Sequence, residues 1–202
     1  MAVSLELGGK SANIVFDDAD LDEAVQGSIE AIFRNQGEIC LAGSRLLVQE
    51  TVYEQFLEKL VQAVKKIKVG DPLDENTDMG ALISTNHLET VDKYVQIGLD
   101  EGAKLATGGK RVEGLTDGNF YEPTVLYDVN NKMRVAQEEI FGPVLVVIPF
   151  KTEEEAIQIA NDSIYGLAGV VWSNDLRRAH RVADQINSGL FWINCWSSGW
   201  KN

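Results

Sequence analysis

Two residues in this chain have the types and surroundings for covalent chemistry at a carbonyl group, Cys40 and Glu6. Cys40 stands in Phe33-Arg34-Asn35-Gln36-Gly37-Glu38-Ile39-Cys40-Leu41-Ala42-Gly43-Ser44-Arg45, after a predicted helix end and a glycine. Backbone N–H groups converging there can stabilise a thiolate. A lone cysteine is just as much at home as a buried packing residue, and taken by itself that reading prevails. Glu6 lies in Leu5-Glu6-Leu7-Gly8-Gly9-Lys10-Ser11, between apolar neighbours in what reads as a strand. A partly buried carboxylate there is suited to general-base work, and an exposed edge-strand glutamate fits the spacing equally well. Gly9-Lys10-Ser11 imitates the end of a phosphate-binding loop, but that motif needs glycine at position 4, where Ser4 stands. None of the 18 glycines falls in the G-x-G-x-x-G spacing. His87, His180, Cys40 and Cys195 share no ligand spacing, so no metal site is expected. Both histidines lie in helical stretches and read as surface or partly packed residues.

These residues need a framework, and the composition supports one. The chain has 202 residues with 45% hydrophobic content, enough for the core of one domain. Its net charge of −13 repels phosphate backbones and anionic lipid, so neither nucleic acid nor a membrane surface is expected as a partner. No apolar run approaches the roughly 20 residues that span a bilayer, and residues 1–6 lack a signal-peptide pattern. Two cysteines are not a disulfide framework, which predicts a reducing, cytoplasmic setting.

Apolar runs at Arg45 to Gln49, Tyr121 to Tyr127, Gly142 to Phe150, Ala168 to Trp172 and Gly189 to Cys195 read as strands, and the N-terminal residues as another. Helices are predicted from Asp20 to about Asn35–Gly37, from a Thr51/Glu54 capping box to about Gly70, and from about His87 to Glu101. Two more run from a Thr152/Glu155 box to about Asn161 and from Asp175 to about Asn187. Gly70 to Asn86 reads as a surface loop, and Gly108-Gly109 and Gly114 to Asn119 as turns. The alternation predicts an α/β fold: a three-layer domain, residues 1–202, with a largely parallel sheet and helices on both faces. In such sheets ligands are expected beyond the carboxyl ends of the strands.

Glu6-Leu7-Gly8-Gly9-Lys10-Ser11, the Asn35-Gln36-Gly37 to Cys40 segment and Gln137-Glu138-Glu139-Ile140-Phe141-Gly142-Pro143-Val144 together resemble the signatures of the NAD(P)-dependent aldehyde dehydrogenase superfamily, in the same order and separation. The resemblance runs from residue 3 to about 196 and corresponds to the family's catalytic domain. It implies an oxidoreductase acting on a small-molecule aldehyde with NAD or NADP. By that resemblance Cys40 is the nucleophile, forming a thiohemiacetal and then a thioester, and Glu6 activates the hydrolytic water. The Cys40 backbone N–H becomes an oxyanion donor, Glu139 holds the nicotinamide ribose hydroxyls, Phe141 packs beside the nicotinamide, and Leu7 joins the cofactor side. The resemblance also implies a homo-oligomer. Without it, Glu139 would read as a solvated charge and Phe141 to Val144 as a turn into a core strand.

The departures from the family pattern carry their own expectations. Glu38 replaces the glutamine usual two residues before the nucleophile, and an inward-pointing charge there would oppose thiolate formation. The family's cofactor-binding domain, normally N-terminal to Glu6, and its C-terminal segment are expected to be absent, as in a truncated or excised domain. With the former go an oxyanion-hole asparagine and most dinucleotide contacts. The isolated chain is then expected to bind the cofactor weakly or not at all. Two alternatives follow for it, a residual thiol esterase using Cys40 and Glu6, or a self-associating module. Trp192, Trp196 and Trp200 read either as lining of an aldehyde pocket or as packing.

Overall fold

The computed structural model describes residues 3–115 and 117–196. Seven strands form one sheet: β1 (Ala12–Val15), β2 (Arg45–Gln49), β3 (Lys104–Thr107), β4 (Thr124–Tyr127), β5 (Val144–Phe150), β6 (Ala168–Trp172) and β7 (Leu190–Ile193). Their order is β3-β4-β5-β2-β1-β6-β7, and every pairing is parallel except β3 with β4. The helices are α1 (Leu21–Phe33), α2 (Tyr53–Val64), α3 (Thr85–Asp100), α4 (Arg134–Gln137), α5 (Glu153–Asn161) and α6 (Leu176–Gln185).

The strand alternation decides which helices cover which face. Ile14, Leu47, Val146 and Ile148 point into one core with Leu88, Val91 and Val95 of α3, Ala156 of α5 and Val182 of α6. Their neighbours Val15, Leu46, Leu145 and Val147 point into the other, against Val25 and Ile32 of α1 and Phe56 and Leu60 of α2. This is the three-layer α/β arrangement expected, with the central strands buried on both sides because both faces are roofed.

Caps fix most helix starts where the sequence places them. Asp20 Oδ1 accepts from the N–H groups of Asp22 and Glu23, Thr152 Oγ1 from Glu155, and Asp175 Oδ1 from Arg177 and Arg178. Thr51 is an exception. Residues Glu50–Val52 make a 3₁₀ turn, α2 begins only at Tyr53, and the Thr51 hydroxyl donates to Asp17 Oδ2 instead of capping. Ser84 caps α3, which starts at Thr85, two residues before the expected start. The antiparallel edge strand β3 and the single-turn α4 were not anticipated, because four-residue elements carry too few periods to register.

The expected N-terminal strand is also corrected. Residues 3–11 have no regular structure and β1 starts at Ala12, so Glu6 does not lie in a strand. The predicted strand to Cys195 ends at Ile193. Asn194 turns the chain with a φ of 51° and locks its side-chain amide onto Ser173 N and O, leaving Cys195 beyond the strand.

Candidate active site

Each of the three motif segments immediately precedes a strand. Gly8 to Ser11 run into β1, Cys40 lies five residues before β2, and Phe141 three before β5. Since β5, β2 and β1 are parallel neighbours, the three segments must meet at one end of the sheet, and it is the amino end. The three segments thus lie at the opposite end of the sheet from the carboxyl ends where ligands were expected, on loops that enter the strands rather than leave them.

The nucleophile segment begins where α1 stops. Asn35 and Gln36 hold left-handed φ values of 50° and 55°, followed by Gly37 at 73°. Glu38 N donates to Asn35 O and Asn35 Nδ2 to Glu38 O, both at 2.9 Å, which stabilises a run that L-residues rarely adopt. Gly37 is required by contact as well as by φ, because a β-carbon there would overlap the Gly142 carbonyl. Ala42 N then donates to Ile39 O at 3.0 Å, closing a turn with Cys40 inside it. The Cys40 side chain is half-buried, and its amide N–H donates to no group among the described residues. An unpaired N–H at this turn is free to donate to an oxyanion.

Gly9 is where the segments join. Its N–H donates to Glu139 Oε1 at 3.0 Å, and a β-carbon on it would overlap the Cys40 carbonyl. Gly8 lies equally close to Glu139, whose carboxyl group would collide with any side chain there. Glu139 is therefore half-buried and bonded, not the solvated charge that the sequence without its resemblance would give. Phe141 keeps a φ of 58° and stays 40% exposed, presenting its ring on the surface beside His87. Glu6 and Leu7 are not gathered in with the others. Both are exposed, and no hydrogen bond or ion pair joins Glu6 to Cys40 among the described residues. The expected partial burial of Glu6 is thus corrected, since burial on this arm begins only at Gly8 and Gly9.

Glu38 does point inward, with its side chain 9% exposed, but its carboxylate is occupied. Oε1 accepts from Ile83 N at 3.1 Å and faces His87 Nε2 at 3.6 Å, and Oε2 accepts from Gln36 Nε2 at 3.2 Å. Trp192 and Trp196 stack on each other with centroids 4.9 Å apart and pack on the α1/α2 core, Trp196 against Gly43. Both thus make packing contacts, and Trp200 lies outside the described residues. His180 is exposed, as expected for a helix-surface residue.

Two buried cations escaped the sequence reading, because nothing in their spacing marks them. Arg45 donates through Nε to Lys10 O at 2.9 Å, through Nη1 to Asn131 Oδ1 at 3.0 Å and Ile159 O at 2.9 Å, and through Nη2 to Ala160 O at 2.8 Å. Burial lowers its pKa to about 10. Lys10 is 2% exposed, and its Nζ has no hydrogen-bond partner among the described residues. Burial, reinforced by the Arg45 charge and opposed by Glu139 and Glu138, brings its pKa down to about 7 from 10.5.

Below about pH 7 this amine is charged whether the chain is folded or not, so the folded state carries the whole cost of burying it. Between pH 7 and 10.5 the unfolded chain holds more protons, and stability climbs with pH by up to about 1.4 kcal/mol per unit. Lys10→Met is expected to flatten this climb. Urea midpoints at pH 6.5 and 9.5 read it, and an unchanged difference between the two would refute the assignment.

Comparison with known proteins agrees with this geometry. A family model described as "Aldehyde dehydrogenase family" matches residues 1–202. Betaine aldehyde dehydrogenase of Bacillus subtilis is 53% identical over 194 residues, covering 95% of this chain and 40% of that protein. The 2-aminomuconic semialdehyde dehydrogenase of Mus musculus is 48% identical over 200 residues, 96% of this chain and 41% of that protein. A crystal structure of Staphylococcus aureus betaine aldehyde dehydrogenase in complex with NAD+ superposes with a TM-score of 0.93 at 49% identity, over 95% of this chain and 38% of that one. The chain thus spans about two fifths of the length of these relatives. Family model, sequence identity and fold agree, and the chain belongs to the aldehyde dehydrogenase family.

Proposed function

We propose that these residues form the catalytic domain of an enzyme that oxidises an aldehyde to a carboxylic acid with NAD(P). The observation that carries this reading is the closure of the three motif segments on Gly9. Its N–H is held by Glu139 and its α-carbon lies under the Cys40 carbonyl. In this reading Cys40 Sγ adds to the aldehyde carbon, and the oxygen that gains the electron pair takes a hydrogen bond from the Cys40 N–H. The nicotinamide, when bound, accepts the hydride that leaves the same carbon. Glu6 takes a proton from water, the water oxygen bonds to the acyl carbon of the resulting thioester, and the C–S bond breaks to release the acid and the Cys40 thiolate, after which Glu6 gives its proton up to solvent.

The residues present fit the nicotinamide half of the cofactor. Glu139 is fixed at Gly8 and Gly9 with acceptor capacity for ribose hydroxyls, and Phe141 and Leu7 offer exposed apolar surface for a flat ring. The relatives crystallised with NAD+ support the same cofactor here. A cytoplasmic setting belongs to the same proposal, and so does a homo-oligomer, which the exposed apolar side chains of Val3 and Leu5 support.

No oxyanion-hole side chain contributed by a further domain is among these 202 residues. For a 202-residue piece tested alone, going without such a donor costs on the order of 3 kcal/mol, about a hundredfold in rate, and going without further dinucleotide contacts costs more. Incubated with an aldehyde panel and NAD, the 202-residue chain is expected to form NADH at least a hundredfold more slowly than a full-length relative. It should still be acylated at Cys40 by an activated ester. Turnover within tenfold of the relative would overturn the first expectation, and acylation elsewhere, shown by peptide mass mapping, would overturn the site.

A further inference from the structure

Among the described residues, one segment outside the three motifs touches two of them. Ile83 N donates to Glu38 Oε1 at 3.1 Å, and four residues later His87 Nε2 lies 2.7 Å from the Phe141 carbonyl. The carbonyl is an acceptor only, so the Nε2–H tautomer of His87 is the one that fits. The two groups sit either side of the Ser84 cap, at the rigid start of a 16-residue helix whose Leu88, Val91 and Val95 are buried in the core.

Both bonds end at or beside strained backbone. Phe141 is a non-glycine residue at a φ of 58°, and Glu38 braces the left-handed pair Asn35 and Gln36, donating N–H to Asn35 and accepting from the Gln36 side chain. Conformations of this kind persist only when the surroundings over-determine them. The Glu38 carboxylate and the His87 ring also face each other at 3.6 Å, and that is the one ion-pair contact of His87 among the described residues. The segment from Ile83 to His87 therefore spans from the residue two before Cys40 to Phe141, whose exposed ring has His87 as edge-to-face partner at 6.4 Å between centroids.

We infer that His87, with Glu38, is a positioning pair: the start of α3 straps the Cys40 turn to the Phe141 loop and so sets the gap between nucleophile and hydride acceptor. Neither residue touches the reacting atoms. The role rests on the dehydrogenase reading, in which Cys40 and Phe141 face one substrate, but the strap is tested without turnover, so the two fail separately.

Hydrogen–deuterium exchange of the full chain, resolved on peptides covering residues 34–43, 81–90 and 138–146, tests it. Loss of one hydrogen bond loosens a local unit by about five- to tenfold in exchange rate. His87→Leu is expected to accelerate exchange by that factor in 34–43 and 138–146 together, with β6 unchanged. His87→Gln places an amide N–H near the position of Nε2 and is expected to restore both loops, a rescue that mere loss of packing would not show. Should His87→Leu fail to fold, Glu38→Ala carries the test. It is expected to loosen 138–146, a segment bearing none of the Glu38 side chain's bonds, as well as 34–43. Acceleration confined to the peptide that holds the substituted residue, or His87→Gln exchanging as fast as His87→Leu, would overturn the proposal.

Discussion

Replacing Cys40 with alanine is expected to remove acyl transfer altogether, by about four orders of magnitude or more, as losing a covalent nucleophile does in other enzymes. The sulfur is a soft nucleophile that can bond a carbonyl carbon and leave again, and no other thiol stands in that turn. The measurement is ester-driven acylation of the 202-residue chain. Because the side chain is half-buried and its turn is held by backbone bonds at Ile39 and Ala42, Cys40→Ala should fold normally. An unchanged acylation rate in the folded variant would refute the nucleophile assignment. The contrast with Cys195 sharpens the experiment, since Cys195→Ala is expected to leave acylation within about twofold, the ordinary scale of a change outside the special features of a fold.

Arg45→Met should cost about 3–5 kcal/mol of stability, the range for breaking a buried, fully bonded charged group. Its guanidinium serves four acceptors drawn from three parts of the chain: Lys10 before β1, Asn131 before α4, and the end of α5 at Ile159 and Ala160. A thioether of similar length fills the space but leaves those oxygens unpaired, and each orphaned acceptor costs about 1–3 kcal/mol before relaxation. Arg45→Lys is expected to recover only part of the loss, because one ammonium cannot reproduce a planar fork aimed in three directions. Urea denaturation of the three proteins decides it. A loss below about 1 kcal/mol for Arg45→Met would show that water or rearranged neighbours satisfy the acceptors.

The parallel core strands were legible because burial on both faces leaves continuous apolar runs, and Arg45–Gln49 and Ala168–Trp172 are matched residue for residue. Helix starts at Asp20, Thr152 and Asp175 were legible because a capping side chain acts within three residues of itself. Thr51 shows the limit of that reasoning. Its hydroxyl had a competing acceptor in Asp17, 34 residues away, which no local pattern reveals. Glu6 shows another, because alternating apolar neighbours read as a strand only if a partner strand is present, and residues 3–11 have none.

What the sequence by itself determined is the set of reactive groups and the family: a thiol after a helix end, a glutamate before two glycines, and Glu139 with Phe141 before a buried strand. These are local facts, carried by residue type and spacing. Only the tertiary structure decided that the three segments meet at the amino end of the sheet, that Glu139 closes on Gly9, that Lys10 and Arg45 lie buried beneath them, and that Ile83 and His87 reach the two strained loops. The physical reason is range. Caps and periodicities act over three or four residues, whereas the bonds that build this site join positions 35 to 130 residues apart, and their partners become neighbours only once β5, β2 and β1 lie side by side.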